Sequence, residues 1–348
     1  MNIVKLNRRQ LLASTAAIAA AAAMPRSAFA QSGSMVASVF GGDYADILRE
    51  AVDLGIMEPM GVEVIQDVIS GEARQTKLRT ELNSRRSSMD VAVLADLDMF
   101  PIAELGAFAP ITEADVPRLP AVIPALRKDY AIPQIYSYIA ILYNPAVVET
   151  PPTSYADLWD PKYKGKVGVS DILHMATSAV AAIVGGGSVS DFEPGHKKLL
   201  ELRDQQEVRI YPSNETIAAA LQSGEIWITV NYVARAYSWK NAGVPIEHAV
   251  ASEGAIPIAF EMAVPKNARN PEAGFAYLNA ALSPAAQSAF TTKMGYLPTV
   301  TDAELDPDIA AQLSLSDEDQ SRLLQLDYTY LMENNTAILD FWTREFKA

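Results

Sequence analysis

The sequence of 348 residues contains no cysteine and only three histidines. Without cysteine the chain can form no disulfide, thiolate zinc site or iron–sulfur cluster, and it has no cysteine nucleophile. The histidines, His174, His196 and His248, lie far apart and lack the spacing of metal ligands. We therefore expect no metal site and no cofactor.

Motifs of the common catalytic and nucleotide sites are also missing. The chain has no G-x-S-x-G, no G-x-x-x-x-G-K-[ST], no H-E-x-x-H and no G-x-G-x-x-G after a strand. A secreted enzyme would need a nucleophile–base pair or a metal cluster. The sequence offers neither, so we expect no catalytic residue, and a secreted enzyme is only a distant alternative.

Basic residues are scarce relative to acidic ones. The chain has 28 Lys and Arg against 42 Asp and Glu, a formal net charge of -14. Such a chain repels phosphate, which argues against nucleic acid as a partner. With 49% hydrophobic and 20% charged residues, the composition is that of a folded protein long enough for two domains.

The first thirty residues have the pattern of an export signal. Residues 1–30 carry four basic and no acidic residues, an apolar run at 11–24 and a small-x-small motif ending at Ala30. Arg8 and Arg9 resemble the twin-arginine type, with an ordinary Sec signal as the alternative. We expect cleavage after Ala30 and export to the periplasm of a chain with net charge -18, since 24 basic residues then face 42 acidic ones.

Strand-like and helix-like runs alternate along the rest of the chain. The pattern begins at residue 36, restarts after the long apolar stretch 132–144, and resumes its first form after about residue 246. It predicts an α/β fold of two lobes, each an open, mostly parallel sheet with flanking helices and a ligand cleft between the lobes. The predicted segments are residues 31–142 with 253–300 for lobe 1, 143–252 for lobe 2, and 301–348 for a C-terminal helical region packing on the lobes.

Polar and aromatic residues stand where predicted strands end. Ligands of open parallel sheets bind beyond the carboxyl ends of strands, and two lobes place the site between them. The candidates in these loops are Phe40, Asp43, Ser70, Asp96, Asp98, Asp171, Asn231, Tyr232 and Glu261.

The charges of these candidates leave the sign of the ligand open. The five acids favour a cationic or amine-bearing solute, although Asp43 and Asp171 have helix N-caps as an alternative role. Arg74, in the first turn after Ser70, is placed to pair with a carboxylate or phosphonate instead. Tyr232 and Tyr237 suggest a tyrosine iron site, but at i, i+5 on one helix they diverge.

Several blocks of the sequence resemble the spermidine/putrescine-binding type of ABC-transporter solute-binding protein, in extracellular solute-binding protein family 1 (periplasmic binding proteins of type II). Residues 154–165 (SYADLWDPKYKG) carry the longest match. The other blocks are residues 132–133, 143–144, 242–246, 253–254, 263–268, 295–296 and 298–299. The resemblance implies a two-lobed periplasmic receptor that closes around one small solute. It implies as partner an inner-membrane permease with a separate ATPase subunit, in line with the missing G-x-x-x-x-G-K-[ST] motif.

The ligand positions that the resemblance implies are mostly changed here. Aligned without gaps, the family's carboxylates fall on Ile172, Met175 and Phe260, and its tryptophans fall on Val230 and Ile258. Tyr296 keeps the family's tyrosine, while Asp171 and Glu261 stand one position from two lost carboxylates. We therefore expect a polyamine-like, amine-bearing solute but weak binding of linear spermidine and putrescine. The alternative is a ferric or anionic solute.

Overall fold

The computed structural model describes residues 33–348, so the predicted export signal lies outside the described residues. The strands are β1 (Gly33–Val39), β2 (Val62–Val68), β3 (Val91–Ala95), β4 (Ile132–Tyr143), β5 (Gly168–Ser170), β6 (Arg209–Tyr211), β7 (Ile228–Tyr232), β8 (Glu247–Ala249), β9 (Ile256–Ala263) and β10 (Leu297–Pro298). The α-helices are α1 (Asp43–Leu48), α2 (Gly71–Glu81), α3 (Asp96–Ala103), α4 (His174–Val184), α5 (Glu193–Asp204), α6 (Asn214–Gln222), α7 (Val233–Asn241), α8 (Pro271–Ala281), α9 (Pro284–Met294), α10 (Pro307–Leu313), α11 (Asp317–Ser321) and α12 (Tyr328–Phe341).

Strands β1, β2 and β3 pair in parallel, as the β-α alternation predicts. The main sheet has the order β10-β4-β9-β3-β1-β2, and β7 and β8 also pair with β4. All pairs made by β4 and β9 are antiparallel. The main sheet is therefore mixed rather than mostly parallel, because β4 carries the chain out of the first lobe and β9 carries it back. A small parallel sheet of β5 and β6 lies in the second lobe.

Strand β4 belongs to both halves of the fold. Its residue Ile139 pairs with Ile256 of β9 and also with Tyr232 of β7. Eleven of its twelve residues are buried, which explains why the stretch reads as a continuous apolar run rather than an alternation. The change of partner at Ile139 marks where the strand passes from one lobe to the other.

Separate apolar cores stabilise the two lobes. One contains side chains of β1 and β3 with α8 and α9, including Met35 and Phe290. Another surrounds β5 and α4 and includes Trp342 and Phe346 from the end of the chain. The C-terminal segment therefore packs into the second core. Within residues 33–348, none of the helices is both long and apolar enough to cross a membrane.

Candidate functional site

A cavity of about 590 Å³ lies where strands of both lobes end. Phe40 follows β1, Leu97 follows β3, Ile172 follows β5 and Tyr232 ends β7, and all four side chains line it. This arrangement is the one that the strand-end rule predicts. Helix α12 closes a further side with residues such as Leu331, which no sequence signal indicated.

Aromatic rings form one wall of the cavity. The Phe260 ring meets those of Phe40 and Tyr296 edge to face, at centroid distances of 5.5 and 5.4 Å. Burial raises the pKa of the Tyr232 and Tyr296 hydroxyls, so both are neutral donors. This wall can pack an aliphatic chain or a cation against its rings.

Two carboxylates line the cavity from α2 and α3. Burial raises the pKa of Asp98, a hydrogen bond from Gln75 lowers it, and the nearby charges of Glu72 and Asp96 raise it further. Hydrogen bonds with its own backbone and with Ser70 lower the pKa of Glu72. Neither Asp98 nor Glu72 has a basic partner within ion-pair distance among residues 33–348. This side of the cavity therefore carries negative potential.

A guanidinium group lines the cavity from the opposite lobe. Arg235 lies in the first turn of α7, directly after Tyr232 and β7. Its Nε is buried and has no hydrogen-bond partner in the described part of the chain. Its charge opposes the rise that burial causes in the pKa of Tyr296 and Tyr232, and it lines the same cavity as both rings.

Arg235 is not among the residues that the sequence predicts for the site. The predicted candidates after β7 end at Tyr232, whereas Arg235 lies three residues further along the chain, in the first turn of α7. Extending the strand-end rule through the first helical turn would have found Arg235.

Four candidate site residues that the sequence analysis named line the cavity: Phe40, Asp98, Tyr232 and Tyr296. Ser70 does not line the cavity. Its side chain caps α2, where it accepts a hydrogen bond from the Ala73 amide at 3.2 Å. Tyr237, paired with Tyr232 in the iron alternative, donates its hydroxyl to the Thr292 carbonyl and does not line the cavity.

The expectation that Asp171 faces the cavity is wrong. Its Oδ1 accepts a 2.7 Å hydrogen bond from the Trp342 indole, and its Oδ2 lies 2.6 Å from the Lys347 ammonium. The next residue, Ile172, lines the cavity instead. The C-terminal segment thus supplies partners that turn Asp171 away from the cleft.

Arg74 is likewise not a cleft residue. It is fully buried, and it donates to the Ser38 hydroxyl at 3.0 Å and to the backbone carbonyls of Ile69 and Val93. Burial lowers its pKa to about 10, and its guanidinium lies 4.8 Å from the Phe40 ring centroid. Its donors hold strand ends together in the core, and the side chain does not line the cavity.

Asp43 and Asn231 also have other surroundings than the sequence suggested. Asp43 is exposed near Lys293, and the N-cap of α1 is Gly42, with a φ of 67° that favours glycine. Asn231 is buried, and its amide donates to the Asn214 side chain at 2.9 Å. Of this pair, Asn214 lines the cavity, so Asn231 acts only through it.

Asp96 and Glu261 form a buried charge cluster behind the cavity rather than in its wall. Asp96 accepts hydrogen bonds from the amides of Leu97 and Ala259 and from the Tyr328 hydroxyl. Glu261 lies 2.6 Å from the Lys128 ammonium. Burial raises the pKa of both carboxyls, that of Glu261 to about 7, and Lys128 opposes the rise.

Comparisons with known proteins agree on one kind of protein. A family model described as bacterial extracellular solute-binding protein matches residues 58–315. The spermidine/putrescine-binding periplasmic protein of Escherichia coli (strain K12) is 30% identical over 200 residues, which cover 55% of this chain and 53% of that protein. The chain thus spans about half the length of this curated relative.

Solved structures share the fold over nearly the whole chain. The Atu4243-GABA receptor has a TM-score of 0.78 at 22% identity, covering 90% of this chain and 98% of that one. The spermidine/putrescine substrate-binding protein PotD from Streptococcus pneumoniae has a TM-score of 0.74 at 18% identity, covering 91% and 100%. At these identities the likeness shows the fold.

Proposed function

The chain belongs to the bacterial extracellular solute-binding protein family, and we propose that it is the receptor of an ABC importer for a small, polar, amine-bearing solute. Families of this kind are normally transport proteins rather than enzymes. The single observation that carries the proposal is the cavity between the lobes, with an aromatic wall and the carboxylates of Asp98 and Glu72.

The size and lining of the cavity suit a small solute. Ligand pockets generally measure roughly 300–1,000 Å³ and are largely apolar, with a few polar groups that orient the ligand. Apolar side chains such as Leu97, Met175 and Leu331 line this cavity together with the charged ones. An aliphatic stem can pack against Phe260 and Tyr296 while an ammonium group approaches Asp98.

Delivery to a membrane permease with a separate ATPase subunit, and a location in the periplasm, are parts of the same proposal. The named relative from E. coli is periplasmic, which supports the location. We also propose the lobe boundaries that the sequence predicts. The change of strand partner at Ile139 and the separate apolar cores support them.

A thermal-shift screen against amines, amino acids, organic acids and ferric complexes tests the function. A solute at 100 times its dissociation constant should stabilise the protein by about 2.7 kcal/mol. We expect stabilisation by amine-bearing compounds. If no compound class stabilises the protein, the receptor function is contradicted.

A pair of variants separates specific binding from general effects. Asp98→Asn removes one carboxylate from the cavity, and we expect it to weaken amine binding at least tenfold. Asp160→Asn is the matched control, because Asp160 caps a turn on the surface beside Lys162 and does not line the cavity. Equal affinities in both variants would exclude Asp98 from the site.

A further inference from the structure

We propose that Arg235 is a carboxylate-binding residue, and that the solute carries one carboxylate and one ammonium group on a short aliphatic chain. This inference rests on the proposed receptor function and narrows its solute class. It follows from the positions of the charged groups around the cavity.

Arg235 is a cation with no ion-pair partner among residues 33–348. It lines the cavity, its Nε is buried without a partner, and none of the described carboxylates lies within ion-pair distance of it. The pKa of Glu215 responds to Arg235, but hydrogen bonds with its own backbone and with Ser213 act on Glu215 more strongly. A partly buried guanidinium that faces a cavity is stabilised by an anion that enters it, and a carboxylate matches its planar fork.

The acidic side of the cavity has the opposite requirement. Asp98 and Glu72 lie on the first lobe and have no basic partner within ion-pair distance among residues 33–348. Arg79 also lines this side, but Arg79 and Glu72 are both exposed on α2, where solvent and salt screen their charges. The half-buried Asp98 therefore dominates the charge of this side. An ammonium group is the complement of this side.

Tyr232 connects the two sides. Besides burial, the pKa of its hydroxyl responds to Arg235 in one direction and to Asp98 and Asp96 in the other. Asp98, Tyr232 and Arg235 line the same cavity of about 590 Å³, so the opposite charges face one small volume. A solute of a few carbon atoms that touches Tyr232 can reach both.

A diamine does not satisfy this arrangement. One ammonium can approach Asp98, but the second then enters the region of Arg235 and is repelled by it. A dicarboxylate meets the same conflict beside Asp98 and Glu72. A solute with opposite charges at its two ends has neither conflict.

Three probes of equal carbon number test this inference by calorimetry on the full chain: 4-aminobutanoate, putrescine and succinate. We expect 4-aminobutanoate to bind at least 100-fold more tightly than either other probe. Arg235→Gln should weaken the binding of 4-aminobutanoate at least 30-fold. It should also reduce the difference between the affinities for 4-aminobutanoate and putrescine. Arg209→Gln is the matched control, because Arg209 forms an exposed ion pair with Glu225 and does not line the cavity.

The outcomes separate this inference from the function it rests on. The inference is overturned if putrescine or succinate binds most tightly, or if the affinity for 4-aminobutanoate does not change in Arg235→Gln. Either result still supports the receptor function, because a solute binds. If none of the three probes binds but another amine stabilises the protein, that amine is compared with its carboxylated analogue, and a preference for the uncarboxylated form overturns the inference. If no solute of any class binds, the proposed receptor function itself is contradicted.

Discussion

The hydroxyl of Tyr328 donates a 2.8 Å hydrogen bond to the carboxylate of Asp96, a residue 232 positions earlier in the chain. Tyr328 begins helix α12, and its ring also stacks on Phe100 and lies 4.3 Å from the Lys128 ammonium. Both Tyr328 and residues of the following turns line the cavity. The bond therefore ties the C-terminal segment to the first lobe beside the proposed site, while Trp342 ties it to the second.

Removing the Tyr328 hydroxyl tests how much this tie contributes. Tyr328→Phe leaves Asp96 with its two backbone donors but removes the third hydrogen bond. We expect the free energy of unfolding to fall by about 1–3 kcal/mol, because the bond is made to a buried charged group. Urea denaturation of the wild type and of Tyr328→Phe measures this difference in the free energy of unfolding.

Tyr136→Phe is the matched control for Tyr328→Phe. The Tyr136 hydroxyl makes no hydrogen bond with any part of the described chain. Its loss should change the stability by no more than about 0.5 kcal/mol. Equal effects of the two substitutions would show that the Asp96 contact contributes nothing.

Glu261 should make stability depend on pH. Burial raises its pKa from 4.5 to about 7, so the folded chain holds this proton more tightly than the unfolded chain. Its contribution to the free energy of unfolding is complete below about pH 4.5 and is lost as the pH rises to about 7, an effect of at most about 3 kcal/mol.

The measurement compares urea unfolding of the wild type and of Glu261→Gln at about pH 5 and pH 8. We expect the wild type to lose more stability than the variant over this range. Glu58→Gln, at an exposed position, should follow the wild type. Parallel pH profiles for the wild type and Glu261→Gln would contradict the raised pKa.

Asp171 should matter for stability and not for solute affinity. Asp171→Ala removes the acceptor of the Trp342 indole and the ion pair with Lys347. We expect a loss of about 1–2 kcal/mol, while Asp171→Asn, which keeps an acceptor for Trp342, should lose less than about 1 kcal/mol. Thermal unfolding and calorimetry check this, and a tenfold loss of affinity in Asp171→Asn would restore Asp171 to the site.

Phe260 should contribute to affinity through its ring. Phe260→Leu keeps an apolar side chain beside Phe40 and Tyr296 but removes both edge-to-face contacts. We expect about tenfold weaker binding, because ring contacts with a stem or an ammonium contribute roughly 0.5–1.5 kcal/mol. Unchanged affinity in titration calorimetry would place the solute elsewhere.

Local patterns in the sequence were sufficient to predict much of the fold. The positions of β1, β3 and β7 follow from short apolar runs, and residues at or just beyond the ends of these strands line the cavity in the structure. Phe40 and Tyr232 could be selected in this way, because the ends of strands in one sheet meet at one edge. The resemblance in residues 154–165 gave the family independently of these patterns, and the family model confirms it.

The roles of the charged residues could not be predicted in the same way. Asp171 is held by Trp342 and Lys347, Glu261 by Lys128, and Asp96 by Tyr328, and these partners are distant in sequence. A carboxylate at a strand end looks the same in the sequence whether it faces a cleft or a distant lysine.

Arg74 and Arg235 show the same limit from the opposite side. Both follow a strand end within a few residues, yet Arg74 donates to backbone carbonyls in the core, whereas Arg235 lines the cavity and its Nε has no hydrogen-bond partner among residues 33–348. The sequence by itself determined which segments form strands and where the cleft lies, because those depend on local periodicity and strand order. Only the tertiary structure decided which charges face the cleft, because that depends on whether distant segments bring a hydrogen-bond or ion-pair partner to each one.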